Sequence, residues 1–174
     1  MNTRFNTYDI LKIAERVEQK ELDFYNNAQQ IFHDTALRGV CRDLGFWSKQ
    51  QQKLWMNKRQ ALVNQLADNA SHQDNNTGLP DPSAMAGLTW FGQRPNSAAK
   101  LRGVTNSTTL LQVAAKRGRD LIVFYQGLKA FALDRASVQI IEDIIAKEWQ
   151  HLEYIDKLTD HEQVHPSVHT MAVA

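Results

Sequence analysis

Residues 140–158 read IIEDIIAKEWQHLEYIDKL, with apolar positions recurring at the spacing of a helix. Ile141, Ile144 or Ile145, Glu148, His151 or Leu152, Ile155 and Leu158 fall three and four residues apart, so one face turns inward along the whole stretch. That face is not purely apolar, because Glu148 and His151 lie on it three residues apart. A carboxylate and an imidazole one turn apart on an inward face have two uses. They bind a metal ion, or they join a buried hydrogen-bond network.

The same period extends through the rest of the chain. Leu11, Ala14, Glu18, Leu22, Tyr25, Ala28 and Phe32 form an inward stripe on a first helix. The stretch HDTALRGV interrupts it, with Asp34 or Thr35 placed to cap a second helix whose stripe is Val40, Leu44, Trp47, Gln51, Leu54 or Trp55, and Leu62. A third helix starts near Ser107 or Thr108 and runs to about Ala132, with Leu111, Ala114, Gly118, Leu121 or Ile122, Tyr125 and Leu128 facing inward. LDRAS then turns the chain into the fourth. Prolines stand only at 80, 82, 95 and 166, outside all four helices, and no period-two alternation or Asn-Gly hairpin signal points to strands.

Residues 68–107 are polar and turn-rich, and at 40 residues too long for a tight helix–helix loop. The portion AMAGLTWF has the apolar bulk to pack on a surface, so an ordered crossover is expected. Short, long and short connections predict an all-α four-helix bundle over residues 1–160, its second and third helices running the same way. Residues 161–174 are expected to form a flexible C-terminal tail.

Composition narrows the classes of function. Twenty basic residues against 19 acidic ones give a net charge of +1, which offers no bulk field for nucleic acid or an anionic membrane. No segment approaches the roughly 18 apolar residues that cross a bilayer, and the first residues lack a signal-peptide core. Cys41, the single cysteine, excludes an internal disulfide and suits a reducing cytosol, so a cytoplasmic location is expected. With no His close to it in sequence, Cys41 reads as a packed small residue and not as a nucleophile.

The two halves echo one another. ELDFYNNAQQIF aligns with LIVFYQGLKAFA at an offset of 100, matching Phe24-Tyr25 to Phe124-Tyr125, and FWSKQQQKLW aligns with DIIAKEWQHL at an offset of 97. Two like hairpins joined by a crossover follow from this pattern.

The stretches ERVEQKELDFY (15–25), KRGRDLIVFY (116–125) and IIEDIIAKEWQHLEYIDKL (140–158) resemble the rubrerythrin branch of the ferritin-like superfamily. The likeness covers both hairpins, and it implies a ferritin-like four-helix bundle. In that family each half supplies a Glu seven residues before a Tyr and then a Glu-x-x-His, six ligands that hold two iron or manganese ions. Here Glu18, seven before Tyr25, and the Glu148–His151 pair match the pattern. Gly118 stands seven before Tyr125, and Gln51 and Leu54 stand where the second Glu-x-x-His belongs, so three of six ligands are absent.

The resemblance therefore implies a two-metal centre that is largely lost and, with it, a non-catalytic structural or partner-binding scaffold without a cofactor. It also implies a homodimer, with an unidentified protein partner as a further possibility. In the metal-free form Glu18, His151, Gln51, Tyr25 and Tyr125 would form a hydrogen-bond network, with Glu148 raising the pKa of a protonated His151. Trp47, Trp55 or Trp149 would fill the volume vacated at Gly118. The alternative is a redox protein acting on peroxide or oxygen, with one Fe, Mn or Zn ion on Glu18, Glu148, His151 and the Gln51 carbonyl oxygen, and Tyr25 beside it.

Two further patterns are read as structural. HEQVH (161–165) matches the zinc-peptidase spacing, but Pro166 follows it at once and no substrate cleft is evident, so it reads as tail. The run KRGRD (116–120) reads as a solvated helix face.

Overall fold

Four α-helices carry nearly all of the described chain: α1 (Thr7–Ile31), α2 (Thr35–Asp68), α3 (Ser107–Leu128) and α4 (Arg135–Val164). The computed structural model describes residues 4–68, 101 and 103–164. A single 3-10 turn, Lys129–Phe131, closes α3. The only β interaction among these residues is an isolated parallel bridge between Phe5 and Ala132. The expected all-α fold is the one observed, and no helix among the described residues is long and apolar enough to cross a membrane.

Each helix begins on a short polar side chain that accepts an amide lacking a carbonyl four residues back. Asn6 Oδ1 accepts from Asp9 N at 2.9 Å and Asn106 Oδ1 from Thr109 N at 2.8 Å. Asp34 Oδ1 accepts from Leu37 N at 2.9 Å and Asp134 Oδ1 from Ser137 N at 2.8 Å. The four caps fall in two pairs, 6 with 106 and 34 with 134, at the offset already seen in the aligned halves. The Phe-Tyr pairs repeat too: Phe24 meets Tyr25 edge-on at 5.3 Å, and Phe124 meets Tyr125 at 5.1 Å.

Side-chain pairs give the helix directions. Gln52 donates to Gln19 and Arg59 to Glu15, so α1 and α2 are antiparallel, and Lys129 meets Glu142 across the turn between α3 and α4. Lys58 reaches Asp143 at 3.0 Å, which sets α2 against α4 in opposite directions. Arg117 meets Glu21, and Phe5 N donates to Phe131 O at 2.7 Å, so α1 and α3 are also antiparallel. It follows that α2 and α3 run the same way, as the long crossover requires.

Two apolar clusters fill the interior. One, around Leu44, Leu110, Leu111, Leu152 and Ile155, lies toward the start of α2 and α3. The other, around Phe5, Ile10, Trp55, Tyr125 and Ile141, lies toward the start of α1 and α4. The charged residues described below sit on the stripes that join them.

The ends differ from expectation in one respect. α4 continues to Val164, so residues 161–164 of the expected tail are helical. His165 and the rest of the tail lie outside the described residues, as does nearly all of the crossover with AMAGLTWF. Near the end of the crossover Leu101 is buried, and Gly103 takes φ +85 in the turn closed by Val104 N and Leu101 O.

The cap on α4 offers a direct check. Asp134 accepts from both the amide and the hydroxyl of Ser137, which also holds its carboxyl below the usual range. Asp134→Ala is expected to lower stability by about 1 kcal/mol, read as a shifted urea midpoint at unchanged slope.

Candidate functional site

The inward stripes of three helices bring four charged or ionisable groups to one level of the bundle, beside a histidine. Glu18 and Glu21 come from α1, Arg117 from α3, and Glu148 and His151 from α4, and all five are buried. The sequence pattern had pointed to Glu18, Glu148, His151, Gln51 and Tyr25, and each is an interior residue. It had passed over Glu21 and Arg117.

Arg117 is the main correction. The run KRGRD is not uniformly solvated: Lys116 and Arg119 are exposed, whereas Arg117 is 2% exposed. Its Nε and Nη2 donate to Glu21 Oε1 at 3.3 and 3.0 Å, and its Cζ lies 3.4 Å from the centre of the Phe24 ring. The reason is helical phase. Position 117 is three after Ala114 and four before Leu121, both buried, so it points inward whatever its charge. Glu21, three after Glu18 and four before Tyr25, is inward for the same reason.

Glu18 and Glu148 form the second unit. Burial, and then the charges of Glu148 and Glu21, push Glu18 well above the usual carboxyl range, and burial followed by the charge of Glu21 raises Glu148 to about 8. Buried side by side, the two carboxyls cannot both be ionised near neutral pH, so the pair retains a proton. Ser48 lies near enough to Glu18 to temper its rise without reaching good hydrogen-bond geometry. Burial also keeps Glu21 above its ordinary value, although the Arg117 guanidinium and the Tyr25 hydroxyl both draw it down.

His151 is neutral. Burial lowers its pKa to about 4, and no partner charge offsets that, so the expected imidazolium beside Glu148 is not what forms. The Trp47 ring instead covers it, stacked at 5.0 Å and 8°. His151 Nε2, Gln51 Oε1, Ser48 Oγ, Tyr125 OH and Trp55 Nε1 are all buried with no hydrogen-bond partner among the described residues. Five such atoms in one interior are places for enclosed water, which commonly makes about three hydrogen bonds to such groups.

The volume beside Gly118 is filled by Leu152 and not by one of the three tryptophans. A Cβ on Gly118 would stand 2.9 Å from Leu152 Cδ2. Trp55 belongs to the core, Trp47 lies over His151, and Trp149 is 52% exposed. A carboxylate at 118 would have to displace Leu152 into a cluster that is already packed.

These residues do not fit a two-metal centre. Leu152 occupies the space beside Gly118, and a guanidinium sits at the same level of the bundle. Among the described residues no three His, Cys, Asp or Glu side chains come together as an ion site. Cys41 is buried with its thiol pushed up to about 12, which suits a packing role and not a nucleophile. A comparison with protein-family models, with curated proteins and with solved structures finds no match to this chain.

Two predictions follow from the charges. Arg117→Met strands the buried Glu21 carboxylate and is expected to cost about 3–5 kcal/mol, whereas Arg117→Met/Glu21→Met is expected to recover most of that loss. Denaturant midpoints of the two variants measure the difference.

The second concerns pH. Glu148 rises from 4.5 to about 8, so the folded chain holds a proton that the unfolded chain has lost, and stability falls as pH rises through that window. His151 falls from 6.5 to about 4, so the unfolded chain holds the extra proton there, and stability falls as pH drops below 6.5. Between pH 4.5 and 6.5 the two effects oppose, and above 6.5 only the raised carboxyls act, Glu148 together with Glu18 and Glu21. Stability is therefore expected to be highest near pH 5–6.5 and to lose roughly 2 kcal/mol by pH 8. In Glu148→Gln the upper limb should flatten.

Proposed function

We propose that this chain is a rubrerythrin-like member of the ferritin-like superfamily whose two-metal centre has been lost, and that it works as a non-catalytic structural or partner-binding scaffold. The helix directions support the bundle: two antiparallel hairpins, with α2 and α3 parallel, is the ferritin-like connectivity. The paired caps and Phe-Tyr contacts support its two-hairpin origin.

The observation that carries the loss of the metals is the ion pair of Arg117 with Glu21. A two-metal site brings several positive charges to a cage of carboxylates. Here a guanidinium and a shared proton carry out that neutralisation, and a permanent cation repels a divalent ion at close range. With a homodimer or a protein partner, such a bundle would act through its surface, in the cytoplasm.

One observation favours the second reading, a redox protein with a single Fe, Mn or Zn ion. His151 Nε2 and Gln51 Oε1 are buried without partners, and both are of a type that ligates such ions. In that reading Glu18, Glu148 and His151 would hold the ion, Gln51 would assist, and Tyr25 would stand next to it.

Metal content by mass spectrometry separates the two. The full chain would be purified without chelator, with His161, His165 and His169 replaced by Ala, because cutting before His161 would shorten α4. A Glu148→Ala/His151→Ala version serves as the control. The scaffold reading expects less than about a tenth of an ion per chain, even after anaerobic loading with Fe(II), Mn(II) or Zn(II). Near-stoichiometric metal that disappears in the control would replace it with the redox reading. The pH profile gives an independent check, since metal ligands bind deprotonated and a loaded site gains stability as pH rises.

A further inference from the structure

A cleft of about 400 Å³ opens between α2 and α4. Asp43, Phe46, Trp47, Gln50, Gln51 and Tyr154 line it. Three of the six are aromatic, and their arrangement is ordered: Tyr154 stacks on Trp47 at 5.6 Å and 14°, and His151 stacks on the same indole at 5.0 Å. Trp47 thus forms a wall that separates the cleft from the polar interior. Phe46, 61% exposed, leaves a large apolar face without cover on α2.

The polar lining is one-sided. Asp43 is the only ionised group in it, half-exposed, and its charge raises the pKa of the Tyr154 hydroxyl after the larger effect of burial. Gln51 is 9% exposed, and its carbonyl oxygen has no partner. Two cations lie nearby. Arg42 and Lys49 line a separate groove of about 250 Å³ with Leu22 and Asn26, on the other side of Phe46. The Arg42–Asp43 contact is a 3.5 Å surface pair between adjacent, exposed side chains, which holds the carboxylate only weakly.

We propose that this cleft binds a small aliphatic amine in its protonated form. The ammonium would sit by the Asp43 carboxylate and the Tyr154 hydroxyl, with its apolar stem along Phe46 and Trp47 toward Gln50 and Gln51. The cleft offers a negative charge, electron-rich ring faces and hydrogen-bond acceptors, which together select a cationic N–H donor. An anion of the same shape would meet Asp43 and the negative faces of the rings. The inference needs no ion in the bundle, and of the six lining residues only Gln51 also figures in the metal-binding reading.

The test is a titration of the full-length chain with n-hexylammonium chloride, followed by amide shifts in a heteronuclear NMR spectrum. Sodium hexanoate serves as the probe of equal stem and opposite charge. Saturable shifts confined to residues 43–51 and 150–155 with hexylammonium, and at least tenfold weaker binding of hexanoate, are expected. Asp43→Asn, at a half-exposed surface position, should keep the circular dichroism and melting temperature while weakening hexylammonium at least fivefold. Equal binding of both probes, an unchanged affinity in Asp43→Asn, or no saturable shift in these residues would each overturn the proposal.

Discussion

Burying three carboxyl groups in one small bundle is possible only if most of their charge is removed, and the interior of this chain is organised around that requirement. An isolated carboxylate in an apolar core costs several kcal/mol. Glu21 is neutralised by the Arg117 guanidinium, which donates two hydrogen bonds to a single oxygen and packs its face on Phe24. Glu18 and Glu148 solve the same problem by holding a proton between them. His151 avoids charge altogether. The surrounding packing, from Leu152 against Gly118 to Trp47 over His151, closes the space around these three solutions.

The interior is asymmetric on a symmetric frame. Caps at 6 and 106 and at 34 and 134, and Phe-Tyr pairs at 24–25 and 124–125, make the two hairpins alike in backbone and in aromatic packing. The polar residues do not follow that symmetry. Position 118 is Gly where 18 is Glu, and positions 51 and 54 are Gln and Leu where 148 and 151 are Glu and His. At position 118 the difference is filled locally. Leu152 enters the space at Gly118, and Arg117, one residue earlier, brings a charge of the opposite sign. Under the ferritin-like reading, that exchange of carboxylates for a guanidinium and a leucine turns a metal cage into a packed core.

Trp47 links the interior to the surface. One residue both covers His151 and walls the cleft that Phe46 and Tyr154 complete, and Gln51 beside it faces both the polar core and the cleft. A substitution at Trp47 would disturb both at once, whereas Asp43 belongs to the cleft alone.

By itself the sequence determined the four helices of the described residues, the cap of α2 and the inward position of Glu18, Gln51, Glu148 and His151. These depend on local terms, namely the 3.6-residue period and the short polar side chains that cap free amides. Also legible were Gly118, Gln51 and Leu54, which interrupt the echo of Glu18, Glu148 and His151 between the two halves. Three things waited for the tertiary structure. Arg117 and Glu21 had the right phase to be buried, but charge alone argues for solvent, and only their meeting across α1 and α3 makes burial affordable. The neutral state of His151 depends on the depth of its burial and on an indole supplied from another helix, neither of which is a local property. Leu152 fills the gap at Gly118 because α3 and α4 pack in one particular register, and side chains 34 residues apart in sequence become neighbours only when that register is set.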